Sequence, residues 1–196
     1  MLYRYALFAC FIASLCEAYT PPSAFIVQAM AQKYSSEKAA MHSWPALISQ
    51  TGKNHSAIPA TMTLDHKGLS QSLGKNKPEK LDLFFLDAAW ACRDQSVKEC
   101  EQILLAYFKK AGINHNIVSL GIFDNEPVYI MGALAGELKK TPQLWFFKES
   151  FLPVHEKNSQ GEFTWNKWMR NAKNGVNYPR LMDFKIGSSI TTISNS

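Results

Sequence analysis

The chain has 196 residues and a formal net charge of +5, a length that suits one core-forming domain of common size. The lysines are scattered, as Lys75, Lys77 and Lys80, Lys109 and Lys110, and Lys139 and Lys140. No arginine-rich stripe or aromatic platform goes with them, which argues against a nucleic-acid partner; the mildly basic balance suits an acidic envelope or an acidic partner.

Residues 1–18 carry Arg4, an apolar run over 6–15, and the ending Cys16-Glu17-Ala18. Small residues at −3 and −1 of a cleavage after Ala18 make this a secretory signal peptide. Its apolar run is too short to favour a membrane span. A lipid anchor on Cys16 fits less well, because Leu15 is bulky where such signals take a small residue. No later stretch is long and apolar enough to cross a bilayer, so the mature chain is expected to be exported, with no stable span.

Residues 19–56 are expected as a helical N-terminal extension. Phe25, Ile26, Ala29, Met30 and Lys33 recur at helical spacing over 24–34. Ser35 or Ser36 caps a second helix, with Glu37 and Lys38 in its first turns. Met41, Trp44, Leu47 and Ile48 continue it, and Pro45 limits its regularity. Residues 52–56 form a polar turn. A short strand over 57–64 and a loop over 65–80, with one helical turn at 69–73, come next.

Leu81, Leu83, Phe84, Phe85 and Leu86 make an apolar run of strand length. Apolar on both faces, it suits a central strand between helices. Val97, Cys100, Ile103, Leu104, Tyr107, Phe108 and Ala111 then trace an amphipathic helix that Gly112 stops. Chemistry in open α/β sheets gathers where strands end and helices begin, and Cys92 lies there.

Residues 116–122 read as a strand and 124–127 as a turn. A helix over 128–138 points Tyr129, Met131, Leu134 and Leu138 inward, weakened by Gly132 and Gly136. Pro142 opens an apolar strand that runs to Lys148, and 154–157 form a last edge strand. A helix over 164–172, capped by Thr164, buries Trp165, Trp168 and Met169. Residues 174–196 lose periodicity and read as a loose tail. Leu83, Phe85, Ile103, Leu104, Phe108, Val118, Leu144 and Phe146 are expected to share one core.

Cys10 and Cys16 leave with the signal peptide, so Cys92 and Cys100 remain. An even pair in an exported chain points to a disulfide. On one helix, however, the two would stand about 12 Å apart, beyond the ~7 Å that a disulfide spans. The bond forms only if 92–96 fold back before the helix starts. Cys100, on the apolar stripe, also suits a small buried hydrophobe.

Three short segments resemble the thioredoxin-like fold. LFFLDAAWAC over 83–92 is similar to the family's strand followed by Ala-x-Trp-Cys. Thr141-Pro142 before QLWFFK is similar to its cis-proline and next strand. GEFTWNKWMRNA over 161–172 is similar to its closing turn and helix. The resemblance implies an α/β fold, a thioredoxin-like mixed sheet flanked by helices, over residues 57–174. The chain then divides into signal peptide 1–18, helical extension 19–56, that domain, and tail 175–196. It further implies a cis bond between Thr141 and Pro142, and a peptide groove formed by Trp90, Arg93, Thr141 and Pro142 beside Cys92.

The redox motif departs from the family. Ala91 separates Trp90 from Cys92, and Gln95 stands where the second cysteine belongs. Without a resolving thiol, dithiol exchange fails. The expected function is therefore an assembly or binding factor in the bacterial envelope, binding a protein or peptide. By resemblance its context is a conjugation or secretion machine. The alternative is a monothiol isomerase or reductase, with a Cys92 thiolate stabilised by the helix N-terminus and Arg93 and opposed by Asp94. A third reading is a hydrolase using Asp65 and His66. His42, His55, His66, His115 and His155 show no metal-ligand spacing, and no phosphate loop, nucleophile elbow or dinucleotide fingerprint is present. No cofactor or metal is expected.

Overall fold

A computed structural model of the chain describes residues 20–37, 42–50, 57–65, 68–73, 79–80, 85–172, 175 and 177–195. The expected signal peptide, the polar turn at 52–56, His66 and Leu83 lie outside the described residues. Among the described residues are three helices: α1 (Ser23–Ser35), α2 (Phe85–Ala91) and α3 (Val97–Ala111). The strands are β1 (His42–Gln50), β2 (Ile58–Asp65), β3 (Gly68–Ser72), β4 (Glu79–Lys80), β5 (Val118–Phe123) and β6 (Glu126–Met131). They continue with β7 (Gln143–Phe147), β8 (Pro153–Lys157), β9 (Glu162–Arg170), β10 (Asn177–Ile186) and β11 (Ser189–Asn195). All join one 11-stranded sheet in the order β4-β3-β2-β1-β11-β10-β9-β8-β7-β6-β5. Every pairing is antiparallel. β4 and β5 do not pair, so the sheet is open.

The sheet wraps around its helices. β3 and β8 stand six places apart in the strand order, which is about 29 Å in a flat sheet. The helix α2 touches both, although its seven residues are only about 10 Å long. Contact with both strands requires the sheet to curl. One buried cluster accordingly joins Ile26 and Met30 of α1, Phe85 of α2 and Leu104 and Phe108 of α3 to Met62 of β2 and Phe146 of β7.

Local chemistry sets the boundaries of the elements. Ser96 and Glu99 form a reciprocal capping box on α3, and Gly112 ends it at φ 72°. Asp124 and Asn125, at φ 50° and 65°, make the two-residue turn whose twist suits the β5–β6 hairpin. Gly132, at φ 102°, has no room for a Cβ, which would fall 2.5 Å from the Pro142 carbonyl oxygen.

The expected thioredoxin-like fold is overturned. The sheet is wholly antiparallel, it is far larger than a four- or five-stranded mixed sheet, and helices fill one side of it. Phe85 and Leu86, expected in a central strand, open α2; residues 81–84 lie outside the described residues. The second N-terminal helix is β1, and the helical turn at 69–73 is β3. The helix over 128–138 gives way to β6, and that over 164–172 to β9. Residues 154–157 lie in β8, which is interior between β7 and β9. The segment read as a loose tail holds β10 and β11. Helices over 24–34 and 97–111 and strands over 57–64 and 116–122 are where expected, and the strand expected from Pro142 to Lys148 is β7, one residue shorter at each end. Phe85, Leu104, Phe108, Leu144 and Phe146 are buried together, with Ile103 and Val118 packed against them.

Candidate functional site

The inner face of the sheet is the chain's main apolar surface. Register places Ile58, Ile48, Ile193, Met182 and Trp165 side by side on β2, β1, β11, β10 and β9. The parallel row runs from Thr191 through Phe184, Phe163, Glu156, Leu144 and Met131 to Val118. The opposite face of β1, β2, β10 and β11 is largely polar, where Ser43 contacts Thr63 at 3.0 Å and Thr192 donates to Asp183 at 2.6 Å, whereas on β6, β7 and β8 it carries a second apolar cluster around Val128, Ile130 and Val154. On β1, β2, β10 and β11 the alternation is that of a sheet with one dry side. Over most of the inner face the helices supply the cover. At one end they do not: Ile58 is 52% and Ile186 57% exposed, while Met182, Ile193 and Trp165 beside them are buried. Half-buried Ile48 and Phe184 bridge the two zones. An apolar strip thus leads from solvent into the core.

Three ties hold the helices on that face. The first centres on Glu156, the fully buried carboxylate of β8. It accepts the Phe85 N–H at the start of α2 (3.1 Å), the Tyr107 hydroxyl of α3, and Asn158 Nδ2 (2.7 Å). A buried carboxylate is tolerated only with such partners. The second tie is the pair Arg93–Glu37, 3.1 Å apart, with side chains 4% and 17% exposed. Asn177, at the start of β10, donates to the same carboxylate at 3.3 Å, and Lys33 stands 3.6 Å from it. Burial draws the Arg93 pKa below its ordinary value, and Glu37 opposes that shift. Arg93 Nε is buried without an acceptor among the described residues. The third tie is a disulfide between Cys92 and Cys100, Cα atoms 4.7 Å apart, which clamps the end of α2 to the first turns of α3. Nearby, the buried Tyr34 hydroxyl donates to the Phe151 carbonyl; burial first, then Glu37, raises its pKa well above its ordinary value.

The expected site residues do not come together. Residues 92–95 form a turn between α2 and α3, the fold-back that a Cys92–Cys100 bond requires. The Cys92 sulfur is fully buried in that bond, which overturns the monothiol reading: no thiol is left to attack. Trp90 packs in the core, and Arg93 pairs with Glu37. Pro142 instead lies by Gly112 and Gly132, beyond the far end of α3. That end is about 18 Å along the helix from Cys100. No peptide bond among the described residues is cis, so the Thr141-Pro142 groove beside Cys92 is not formed. His66 and the Asp65 side chain lie outside the description.

Other features offer less. A cleft of about 420 Å³ lies between α1 and α3, lined by Val27, Gln28, Glu101, Leu105, His115 and Asn116 among others. Among the described residues no three His, Cys, Asp or Glu side chains gather as a metal site. No helix there is long and apolar enough to cross a membrane. Sequence reading missed Glu37, Glu156, Asn177, Ile58 and Ile186. The alternation Met182, Phe184, Ile186 against Asp183 and Lys185 was the one signal that could have found part of the face.

No family model and no curated protein matches the chain. Solved structures do resemble it. A DUF1329 family protein from Desulfovibrio piger aligns at TM-score 0.50 and 10% identity, over 90% of this chain and 92% of that one. A LolA superfamily protein from Nitrosomonas europaea gives 0.41 and 8%, over 90% and 92%. A putative outer membrane lipoprotein-sorting protein domain from Vibrio parahaemolyticus gives 0.45 and 7%, over 86% and 89%. The first likeness shows the fold alone, and the other two scores are too low to support an inference. None of the three is thioredoxin-like, in keeping with the antiparallel sheet.

Proposed function

We propose that this chain is an exported binding protein that holds an acyl chain, of a lipid or a lipid-bearing partner, against the inner face of its sheet. The observation that carries this reading is the exposure of Ile58 and Ile186 on the face that elsewhere forms the core. Apolar side chains on the core-forming face stay in water only at a cost of about 1 kcal/mol or more each. A ligand that covers them recovers it. At the opposite end of β10, beside Trp90, Arg93 and Asn177, the interior is filled but for about 10 Å³, room for roughly one water. A chain therefore enters fully only as the helices lift. The disulfide keeps α2 and α3 together in that movement, and Arg93, with its unpartnered Nε, supplies a donor for a headgroup or ester oxygen. The exported location rests on the signal-like N-terminus and on the disulfide, which persists in oxidising compartments.

Displacement of a fluorescent fatty acid by palmitate tests the reading. Saturable binding is expected, weakened about tenfold or more by Ile58→Asp and Ile186→Asp, the ratio that roughly 1.4 kcal/mol gives. Ile190→Asp, on the outer face, should leave it unchanged. Absence of saturable binding, or equal loss in all three variants, sinks the proposal.

A further inference from the structure

The two edges of the open sheet differ in kind. β4 is two residues long and charged, Glu79-Lys80, a guarded edge. β5 is six residues, VSLGIF, with neither charge nor proline. Its hairpin register fixes which backbone groups are free. The two-residue turn makes Phe123 and Glu126 the hydrogen-bonded pair, so Phe123, Gly121 and Ser119 turn their N–H and C=O groups toward β6. Ile117 follows the same parity, accepting from the Gly132 N–H at 2.8 Å. Val118, Leu120 and Ile122 therefore point theirs outward. Among the described residues nothing pairs with them. Ile122 is also 73% exposed, more than any other large apolar side chain described. The edge lacks every device that normally prevents strand addition.

We propose that β5 is a self-pairing edge, at which a second copy of this chain adds its own β5 antiparallel about a two-fold axis at Leu120. Val118 of each copy then pairs with Ile122 of the other, Leu120 pairs with Leu120, and six outward groups on each strand find partners. Charge selects this occupant and this direction. Lys109 and Lys110 precede the strand, and Asp124 and Glu126 follow it. Antiparallel self-pairing lays each acidic turn against the partner's basic end, twice by symmetry. Parallel pairing would set like against like, and an unrelated extended peptide gains no such match.

Sedimentation of the full chain across a wide concentration range should show a reversible monomer–dimer equilibrium. Ile122→Pro removes an outward donor and no β6 bond, and Ile122→Lys keeps the donor but adds a guarding charge. Both should be monomeric with unchanged circular dichroism. Leu120→Cys should cross-link into a disulfide dimer, since hydrogen-bonded opposite Cα atoms stand about 5.5 Å apart; the unsubstituted chain, its Cys92 and Cys100 bonded to each other, should not. A chain that stays monomeric at every concentration overturns the proposal. So does a dimer that survives Ile122→Lys, or an edge that takes up an unlike extended peptide while ignoring a second copy.

Discussion

Arg93 and Glu37 show what a single buried charge demands of its surroundings. The two partners are not equivalent. Removing the guanidinium leaves a carboxylate that keeps Lys33 and Asn177 within reach. Removing the carboxylate leaves a cation that is almost fully buried and already has one N–H without an acceptor. Unpaired buried charge is the costlier residue of such a cut. Glu37→Gln should therefore lower stability by about 2–3 kcal/mol, and Arg93→Met by clearly less, in urea unfolding near neutral pH. The reverse ranking would show that Glu37 is held for reasons other than Arg93. Neither residue's pairing was legible in sequence. Glu37 read as a helix-start glutamate, and its partner lies 56 positions away.

The helices α1 and α3 were legible because their signals are local: an apolar stripe in each and, for α3, the terminal glycine Gly112. The strands β1, β6 and β9 were not, each for its own reason. In β9 the positive φ of Lys167 breaks the alternation, so Trp165 and Trp168 both face the core and imitate helical spacing. In β6 both faces are covered: Tyr129 and Met131 join the main core, and Val128 and Ile130 a second apolar cluster on the far side. No alternation is left there to read. In β1 the inward Trp44, Ala46 and Ile48 share the strand with Leu47, which turns outward. The corner between α2 and α3 depends on its covalent tie. The Cys92–Cys100 loop is short, with a sequence separation of 8, and a loop of that size is worth about 2–3 kcal/mol in the chain-entropy account. Replacing both cysteines by alanine should cost about that much in urea unfolding, with the helical circular dichroism signal retained. A loss under about 1 kcal/mol would mean that Glu156 and Arg93 already fix the corner.

At the scale of the whole molecule, the chain's last strand is not an appendage. β11 sits between β1 and β10, pairing Ile193 with Ile48 on one side and with Met182 on the other. Among the described residues it is the link in the strand order between the meander β1–β4 and the strands β5–β10. Local periodicity cannot reveal this, because it reports which face a residue prefers and not which strand comes beside it. The partners Ala46 and Asn195 are about three quarters of the chain's length apart. A chain ending at Gly187 would lose nine residues, the seven of β11 among them, and would leave β1 and β10 with bare inner edges and uncover Ile48 and Met182. The expected outcome is loss of a cooperative thermal transition, whereas removal of a loose tail would leave it unchanged. Two full-length variants separate the lost pairing from a general intolerance of change. Ile193→Asp puts a charge into the buried row, and Ile190→Asp puts the same charge on the outer face of the same strand. The first should lower stability by several kcal/mol, about the cost of burying an unpaired carboxylate, and the second by less than about 1 kcal/mol. If the truncated chain and Ile193→Asp both unfold like the intact protein, β11 does not join the two halves of the sheet.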